Sequence, residues 1–476
     1  MINTIKTDYL VLGAGISGLT FSKRISENGF SVLVLEKDGH VGGLSKSLYY
    51  KNFTLDYSAH RFHTNNKALL EEIMGYDGVD FIKLSKKSRI YMFGKYLKYP
   101  FELQNLLRAM PVLMAIKCGT DFFLNLIINK IRKKSLSEKF SYRDWFIELY
   151  GSSLYSVMCE PYTKKIWKTD PAKISGDWAN QRFKTENLSI LFRRILKKIA
   201  KLDFSGYSLE DEGLAPDGGD FYYPRSGGIQ SLANGIKNEA IKNNVKFEFN
   251  VNIIRIDKKN KVVIYKVGHK ECRVEYQNLI STIPLYVLGG LIEDTRLISI
   301  ANNLKYMDIS FVYLFINRTK ISQDHWLYFP DENIIFNRAV EFSNWGDDMC
   351  PKGLTCVCFD ITHFKDSVIK KMSDNDLIKN VIKNCIEVGY LTKNEVIDSL
   401  VIHVDDAYPF YDLDYKNNLT KAVNIFEDDS HFMLGRTGIF RYNNSDNSIE
   451  MGFELAERLK NNMGGILNYT IEKTSL

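Results

Sequence analysis

The chain has 476 residues, of which 45% are hydrophobic and 25% are charged, and its formal net charge is +6. This length predicts two or three domains, and the composition is ordinary for a globular protein. The small net charge and the absence of an arginine-rich tail or an aromatic RNA-binding pattern argue against nucleic acid as a partner. A small anionic substrate would suit the charge better.

The seven cysteines are scattered without a C-x-x-C pair. Without metal-ligand spacing we expect no metal site, and the odd count argues against a disulfide framework. The first strand starts by residue 8, which leaves no room for a signal peptide. These features predict a cytoplasmic protein.

The most apolar stretch is "LLRAMPVLMAIKCGTDFFLNLIINKI" at 106–131. Arg108, Pro111, Lys117, Asp121 and Asn125 interrupt it, so it falls short of the ~20 apolar residues of a membrane span. One or two buried or amphipathic helices are the first interpretation. The alternative is peripheral contact with a membrane surface, helped by the basic run at 130–134.

A nucleotide-binding signature opens the chain. "YLVLG" predicts a buried strand, and Gly13, Gly15 and Gly18 form G-x-G-x-x-G directly after it. Gly13 permits the tight turn, Gly15 lets the backbone approach a pyrophosphate, and Gly18 lets the helix pack against the strand. A second strand ends at Glu36, where a carboxylate accepts hydrogen bonds from ribose hydroxyls. Strand, glycines, helix, strand and acid in this order predict a dinucleotide site.

A second glycine pair, Gly42 and Gly43, follows Glu36 closely and favours FAD over NAD. This extension resembles flavin families of the amine oxidase and glutathione reductase type. There the second pair lets the chain pass over the flavin-side phosphates. An ordinary turn is the alternative interpretation.

Later segments predict the remaining architecture. We expect an α/β fold with a Rossmann-type FAD-binding domain, a mixed-sheet substrate domain of six or so strands, and a helical insertion. Strand patterns at 245–267 and at 278–292 (a strand running into a loop) would complete the nucleotide domain, together with a strand, a glycine turn and a final amphipathic helix at 431–462. Residues 89–100 predict a hairpin. The predicted boundaries are 1–65, 221–295 and 426–476 for the FAD-binding domain, 66–220 for a mainly helical region with a helix and loop at 185–221, and 296–425 for the substrate sheet.

The segment "SAHRFHTNN" at 58–66 places two histidines and an arginine within four positions. It resembles the G-P-H-x-F-H-T-N-N segment of UDP-galactopyranose mutases, flavoenzymes that interconvert pyranose and furanose forms of a nucleotide-linked galactose. The resemblance places His63 at the flavin edge as a catalytic residue. It assigns His60 and Arg61 to the cofactor, although the mutases have an apolar residue at the position of Arg61.

Two further segments carry the same resemblance. "EPYTKKIWKTDP" (160–171) looks like the family's G-Y-T-x-K-x-W-x-x-D-P run, and Tyr162 and Trp167 would contact the uridine and substrate as an exposed aromatic pair. Two aromatic residues of the core are the alternative interpretation. "GRTGIFRYNNSD" (435–446) resembles the closing G-R-x-x-x-Y-x-Y-x-D motif. Arg436 would lie by the flavin and Tyr442 by the substrate phosphates. Asn444 stands where the family has a substrate-binding aspartate. The asparagine can still accept a hydrogen bond but carries no charge.

The mutases hold the diphosphate between two arginines. Arg182 in "NQRF" and Arg338 in "FNRAVEF" stand near the expected positions, and the planar guanidinium suits a diphosphate. Surface arginines are the alternative interpretation for both.

The resemblance implies a nucleotide-sugar mutase that serves surface polysaccharide synthesis and commonly forms a homodimer. Its FAD, reduced by NAD(P)H or another donor, attacks the anomeric carbon through N5. The rival is an FAD-dependent oxidase or desaturase. "FYYPRSGGIQSLANGI" (221–236) resembles protoporphyrinogen oxidase and phytoene desaturase relatives and supports that rival.

Overall fold

A seven-stranded sheet contains the strands next to the glycine motif. The structure is a computed structural model and describes residues 4–99, 109–132, 140–182 and 219–461. The strands of this sheet are β1 (Thr4–Leu12), β2 (Val32–Leu35), β9 (Lys246–Glu248), β10 (Val251–Asp257), β11 (Val262–Val267), β12 (Lys270–Ser281) and β18 (His431–Met433). Their order is β10-β11-β12-β1-β2-β9, with β18 also beside β12. β1 runs parallel to both of its neighbours. Buried parallel strands explain the unbroken apolar runs of β1 and β2.

A second seven-stranded sheet lies in the region predicted to hold the substrate domain. Its strands are β6 (Ser88–Met92), β7 (Lys95–Lys98), β13 (Tyr306–Ile316), β14 (Trp326–Tyr328), β15 (Arg338–Glu341), β16 (Thr355–His363) and β17 (Val396–Pro409). The order is β17-β13-β16-β15-β14-β6-β7. Neighbours are antiparallel except β14 and β6. We expected six or so strands here. The hairpin predicted at 89–100 forms as β6 and β7, and it extends this sheet because β6 pairs with the edge of β14.

Two short ribbons complete the strands. They are formed by β3 (Ser47–Tyr50) with β4 (Phe53–Asp56), and by β5 (Phe81–Ser85) with β8 (Asp220–Pro224). The isolated bridge between Phe62 and Tyr222 attaches the histidine segment to the second ribbon.

The helices of the described residues are mostly short. They are α1 (Ile16–Ser26), α2 (Lys67–Met74), α3 (Val112–Arg132), α4 (Tyr142–Tyr150), α5 (Ser152–Leu154), α6 (Glu160–Trp167), α7 (Asp177–Arg182), α8 (Gln230–Lys242), α9 (Leu285–Ile292), α10 (Thr295–Ala301), α11 (Val368–Lys371), α12 (Asp374–Glu387), α13 (Tyr415–Phe426), α14 (Gly435–Gly438) and α15 (Ser445–Lys460). A π-helical turn spans Tyr155–Cys159, and 3₁₀ turns span Pro171–Lys173, Phe342–Asn344 and Lys393–Glu395.

The last helix packs directly on the first. A Cβ at Gly452 of α15 would lie 2.1 Å from Thr20 Oγ1 and 2.8 Å from Ser17 O on α1. Only glycine allows this approach without displacing α1. The C-terminal motif is therefore brought against the nucleotide-binding helix.

A buried carboxylate joins parts of the chain that are far apart in sequence. Asp56 accepts hydrogen bonds through its side chain from Ser47 Oγ (2.6 Å), Tyr223 Oη (2.6 Å) and Ile229 N (3.1 Å). Its carbonyl oxygen accepts one from Tyr313 Oη at 2.8 Å. The network connects β4, β8, the start of α8 and the second sheet just before the histidine segment begins.

Two sequence expectations need comment. After β12, residues 285–292 form helix α9 and not the predicted loop. Gly289 of this helix allows close packing, since a Cβ there would lie 3.2 Å from Ile298 N of α10. The helix and loop predicted at 185–221 lie outside the described residues except for 219–221. Among the helices that the structure describes, none combines the length and the apolarity needed to cross a membrane.

Candidate active site

The glycine motif forms a tight turn into α1. Gly13 has φ +100°, and a Cβ there would lie 2.4 Å from Thr282 Oγ1. A Cβ at Gly18 would lie 2.2 Å from Gly13 O, so Gly18 is needed for helix and strand to approach. Gly15, the N-cap residue, differs because nothing lies within 4 Å of its Cβ position. Open space at Gly15 and uncapped amides at the helix N-terminus fit a dinucleotide pyrophosphate.

Glu36 and the second glycine pair face the same turn. Glu36 is buried at the end of β2, where Ala14 N donates to its Oε2 (2.6 Å) and Asp38 N to its Oε1 (2.9 Å). A carboxylate has further lone pairs and can also accept from a ribose. Gly42 N donates to Ala14 O at 2.9 Å, and a Cβ at Gly43 would lie 3.2 Å from Gly15 Cα. The glycine pair therefore runs over the nucleotide turn, as the flavin families require.

The histidine segment is fixed between β8 and the two arginines described next. Phe62 N donates to Tyr222 O (3.0 Å), and His63 Nδ1 lies 2.9 Å from Asp220 O. A carbonyl oxygen only accepts, so Nδ1 is the protonated nitrogen of His63. The guanidinium of Arg61 lies 5.6 Å from the ring centre of Phe221 and 5.4 Å from that of Trp326. Arg61 is thus held in an aromatic environment next to both histidines.

Arg338 lies at the start of β15 in an ion pair. Its Nε and Nη2 lie 2.7 and 2.6 Å from Asp360 Oδ2, and Nη2 also donates to Ser58 Oγ at 3.0 Å. Burial raises the pKa of Asp360, and the Arg338 charge opposes that shift. The Arg338 side chain keeps 23% of its surface exposed, against 5% for Asp360. The structure therefore orients this guanidinium from one side and leaves part of it accessible.

Tyrosines lie near the same guanidinium. Tyr328 lies opposite Arg338 in the pairing of β14 with β15, and Tyr408 and Tyr162 are close to it as well. Tyr162 packs edge-on against Tyr328 with ring centres 5.6 Å apart. Phenolic hydroxyls both donate and accept, so together with Arg338 they form a site suited to phosphate oxygens.

Arg436 also lies near His60. It donates to Asn443 O and, through Nη1, to Ala407 O (3.3 Å), and its guanidinium lies 5.3 Å from the ring centre of Tyr408. Burial, with the charges of Arg436 and Arg338, lowers the pKa of His60 to about 3. His60 is therefore neutral at ordinary pH and lies within the field of both arginines.

Arg436 is also next to the nucleotide turn. It follows Gly435, where a Cβ would lie 3.2 Å from Ser17 of α1, and Thr437 Oγ1 donates to Thr282 O at 2.8 Å. The structure thus brings the glycine turn, the two arginines and the histidine segment into one connected region. The sequence had assigned these residues to one site from four separate segments.

The expectation of an exposed Tyr–Trp pair is wrong for Trp167, which is 2% exposed. Its indole packs against Trp178, with ring centres 5.3 Å apart, and against Phe410 and Tyr442 at 5.7 and 6.5 Å. A large aromatic side chain at the end of an amphipathic helix is easily buried when its inward face has room. Trp167 therefore supports Tyr442 from behind, and Tyr162 is the partly exposed member of the pair.

Tyr442 and Asn444 occupy the loop before α15. Tyr442 stacks on Tyr408 with ring centres 5.5 Å apart and 22° between the planes. Asn444 is the N-cap of α15, where it forms a capping box with Asn447. Its exchange for the family's aspartate keeps a residue that caps helices well. Arg182 ends α7, and its side chain lies outside the described residues.

Sequence reasoning missed Asp360, Tyr408 and Tyr328. A signal for Asp360 was present: it is the one charged residue in the apolar strand "TCVCFDIT", and a buried carboxylate needs a partner. Tyr408 and Tyr328 had no comparable signal among the 27 tyrosines. Among the described residues, no group of three or more potential ligand side chains could hold a metal ion.

The chain is similar to known proteins in sequence and in fold. Residues 16–385 match the family model of flavin containing amine oxidoreductases. A probable UDP-galactopyranose mutase of Klebsiella pneumoniae is 23% identical over 168 residues, which cover 35% of this chain and 42% of that protein. A 1-hydroxycarotenoid 3,4-desaturase of a Flavobacterium species is 24% identical over 275 residues, 53% of this chain and 52% of that protein. The matches thus span about half of these relatives or less.

A solved structure of reduced UDP-galactopyranose mutase superposes with a TM-score of 0.83 at 22% identity, covering 99% of each chain. This likeness confirms the predicted fold: an α/β architecture with a Rossmann-type sheet and a mixed second sheet. The matched residues 16–385 are well over half of the sequence, and the family's cofactor is a flavin. The chain belongs to the flavin containing amine oxidoreductase family.

Proposed function

We propose that this chain is a flavin-dependent nucleotide-sugar mutase that interconverts pyranose and furanose forms, similar to UDP-galactopyranose mutase. The observation that carries the proposal is the partly exposed guanidinium of Arg338, aligned by Asp360, in the region that also contains His60, Arg436 and the flavin-type glycine turn. Guanidinium groups and hydroxyl donors suit a diphosphate, and Arg338 with the tyrosines near it would supply both. The Klebsiella relative and the solved mutase support the same function.

The residues fit FAD as the cofactor. Gly13, Gly15 and Gly18 would hold its pyrophosphate at the N-terminus of α1, Glu36 its adenosine ribose, and Gly43 would allow the chain to pass over it. When bound and reduced, by NAD(P)H or another donor, the flavin would supply a nucleophile for the anomeric carbon. Arg436, His60, Arg61 and His63 would lie toward the flavin.

The protein's part in the reaction is to hold the departing nucleotide. Arg338, aligned by Asp360, would stabilise the negative charge that develops on the diphosphate when the anomeric bond breaks. Tyr162 and Tyr442 would contact the nucleotide and the phosphates, with Trp167 behind Tyr442 and Asn444 fixing the loop. Arg182 would be the second diphosphate cation.

His63 would adjust the flavin environment. With Nδ1 directed at Asp220 O, the ring has a fixed orientation. His63→Ala should therefore keep FAD bound but turn over more slowly, whereas normal turnover by that variant would remove the role.

We further infer a cytoplasmic enzyme that supplies a furanose donor for surface polysaccharide and assembles as a homodimer. All seven cysteines are free thiols, which suits a reducing compartment.

The second candidate is an FAD-dependent oxidase or desaturase. The carotenoid desaturase relative and the "YPRSGG" segment favour it. An oxidase or desaturase would have no use for a diphosphate site, so this candidate function explains the arginines less well.

The test is an anaerobic incubation of the purified protein with a panel of nucleotide-activated pyranoses, with and without dithionite. A mutase yields a new chromatographic peak of unchanged mass that requires reduction. Arg338→Lys should lower that activity and weaken UDP binding by about tenfold or more, because a lysine cannot form the two-nitrogen contact. Arg318→Lys, on the exposed surface, is the matched control. Consumption of oxygen with an amine or porphyrinogen, and no isomer peak, would establish the oxidase instead.

A further inference from the structure

Helix α3 presents an apolar surface to solvent. Of the fifteen large hydrophobic side chains that are exposed among the described residues, seven lie on this one helix. They recur at spacings of three and four, which places them along one face. They are Val112, Leu113, Ile116, Phe123, Leu124, Ile127 and Ile128. We call this set the α3 face. Scattered exposed apolar residues need no explanation, whereas a continuous set on one helix marks an interaction site.

The opposite side of α3 is firmly attached to the protein. Cys118 is buried, Asp121 Oδ2 accepts from Ser153 N at 2.7 Å, and Asn125 Nδ2 donates to Glu148 O at 2.7 Å. These residues are three, four and seven positions apart and so share one side of the helix. The attachment fixes which side faces outward, so the α3 face cannot turn inward by rotation of the helix.

The charged residues of α3 are mostly basic. Its sequence contains Lys117, Lys130 and Arg132 and a single acid, Asp121, whose carboxylate is directed inward as described above. Lys117 is exposed beside the α3 face. An exposed apolar helical face beside an exposed lysine, on a helix with more basic than acidic residues, fits the pattern of helices that lie in the interface of an anionic bilayer.

We propose that the α3 face docks on an anionic lipid surface, with the helix lying in the plane of the interface. The charges favour lipid over a second copy of this chain. A second copy would bring another exposed Lys117 and, among the described side chains of its α3, no acid other than the inward-directed Asp121, whereas anionic headgroups supply the opposite charge. The proposal is independent of the reaction that the flavin site performs.

The experiment is co-sedimentation of the full-length flavoprotein with vesicles of neutral phosphatidylcholine, and with vesicles that also contain phosphatidylglycerol. We expect binding to the anionic vesicles that weakens with salt. The double variant Leu113→Ser/Ile127→Ser should bind them at least about tenfold more weakly, since two large side chains no longer enter the interface. Both side chains are largely exposed, so the fold should be kept, and far-ultraviolet circular dichroism checks this.

The matched control is Val368→Ser/Ile397→Ser, which removes two equally apolar exposed side chains elsewhere. It should bind the vesicles like the unchanged protein. Light scattering gives the oligomeric mass of all three proteins and so tests whether a second copy of the chain covers the α3 face instead. If the α3 variant lowers the oligomeric mass, or if the unchanged protein ignores anionic vesicles, or if the α3 variant binds them normally, the proposal is wrong.

Discussion

Replacing Asp360 by asparagine tests how the site holds Arg338. The exchange keeps the shape of the side chain but leaves the guanidinium without its counter-charge, at contacts of 2.6 and 2.7 Å. Removing one partner of a fully buried pair costs about 3–5 kcal/mol. Because the Arg338 side chain is 23% exposed and keeps some water, we expect a loss of unfolding free energy of about 2–3 kcal/mol.

The assay is urea unfolding followed by circular dichroism, with the variant and the unchanged protein compared under identical conditions. Asp77→Asn is the matched control, because Asp77 pairs with Lys242 on the open surface. Solvent screens that pair, so this exchange should leave the unfolding free energy nearly unchanged. If Asp360→Asn is as harmless as Asp77→Asn, Asp360 does not hold Arg338 in a desolvated pair, and the reasoning fails.

Three further predictions concern other parts of the site. Gly15→Val should fold normally but lose flavin, measured by absorbance at 450 nm, since its side chain enters open space. Gly18→Val should instead destabilise the fold, because its Cβ would lie 2.2 Å from a backbone oxygen, and equal flavin loss without destabilisation would contradict this. His60 has its pKa lowered to about 3, so between about pH 6.5 and 3 the unfolded chain takes up a proton that the folded protein does not. Compared with the His60→Gln variant, the unchanged protein should have its highest unfolding free energy above about pH 6.5 and lose part of it as the pH falls toward 3. If the unfolding free energies of the two proteins change with pH in parallel, the pKa of His60 is not lowered. Trp167→Ala should cost about 3–5 kcal/mol in urea unfolding, as for a buried aromatic, whereas a small cost with weakened UDP binding would restore the exposed-pair interpretation.

The local patterns of the sequence predicted the nucleotide-binding part well. The glycine motif, the strand ending at Glu36 and the hairpin around Gly94 each depend on neighbours in the chain, where turn chemistry and strand periodicity act. The helix at 285–292 was missed because two glycines in it resemble a turn. One of them, Gly289, packs against α10, a contact that no local pattern records.

Tertiary contacts decided the rest of the site. Whether Trp167 is exposed depends on Trp178, Phe410 and Tyr442, which approach it from distant segments. The pairing of Arg338 with Asp360 arises from the register of β15 and β16, which places the two residues opposite each other. The sequence pattern indicates that both residues lie in strands, but the ion pair can be predicted only when the register of the two strands is known.

The central claim is a reaction without net redox change, and one measurement tests it most directly. The flavoprotein is reduced with a single equivalent of dithionite under strict exclusion of oxygen, and excess nucleotide pyranose is added without any electron acceptor. Product is then counted per flavin while the flavin spectrum is recorded. The account predicts many turnovers per flavin, a product of unchanged mass, and a spectrum that stays reduced. Turnover that depends on oxidised flavin, or that stops at one product per flavin until an acceptor is supplied, would contradict it.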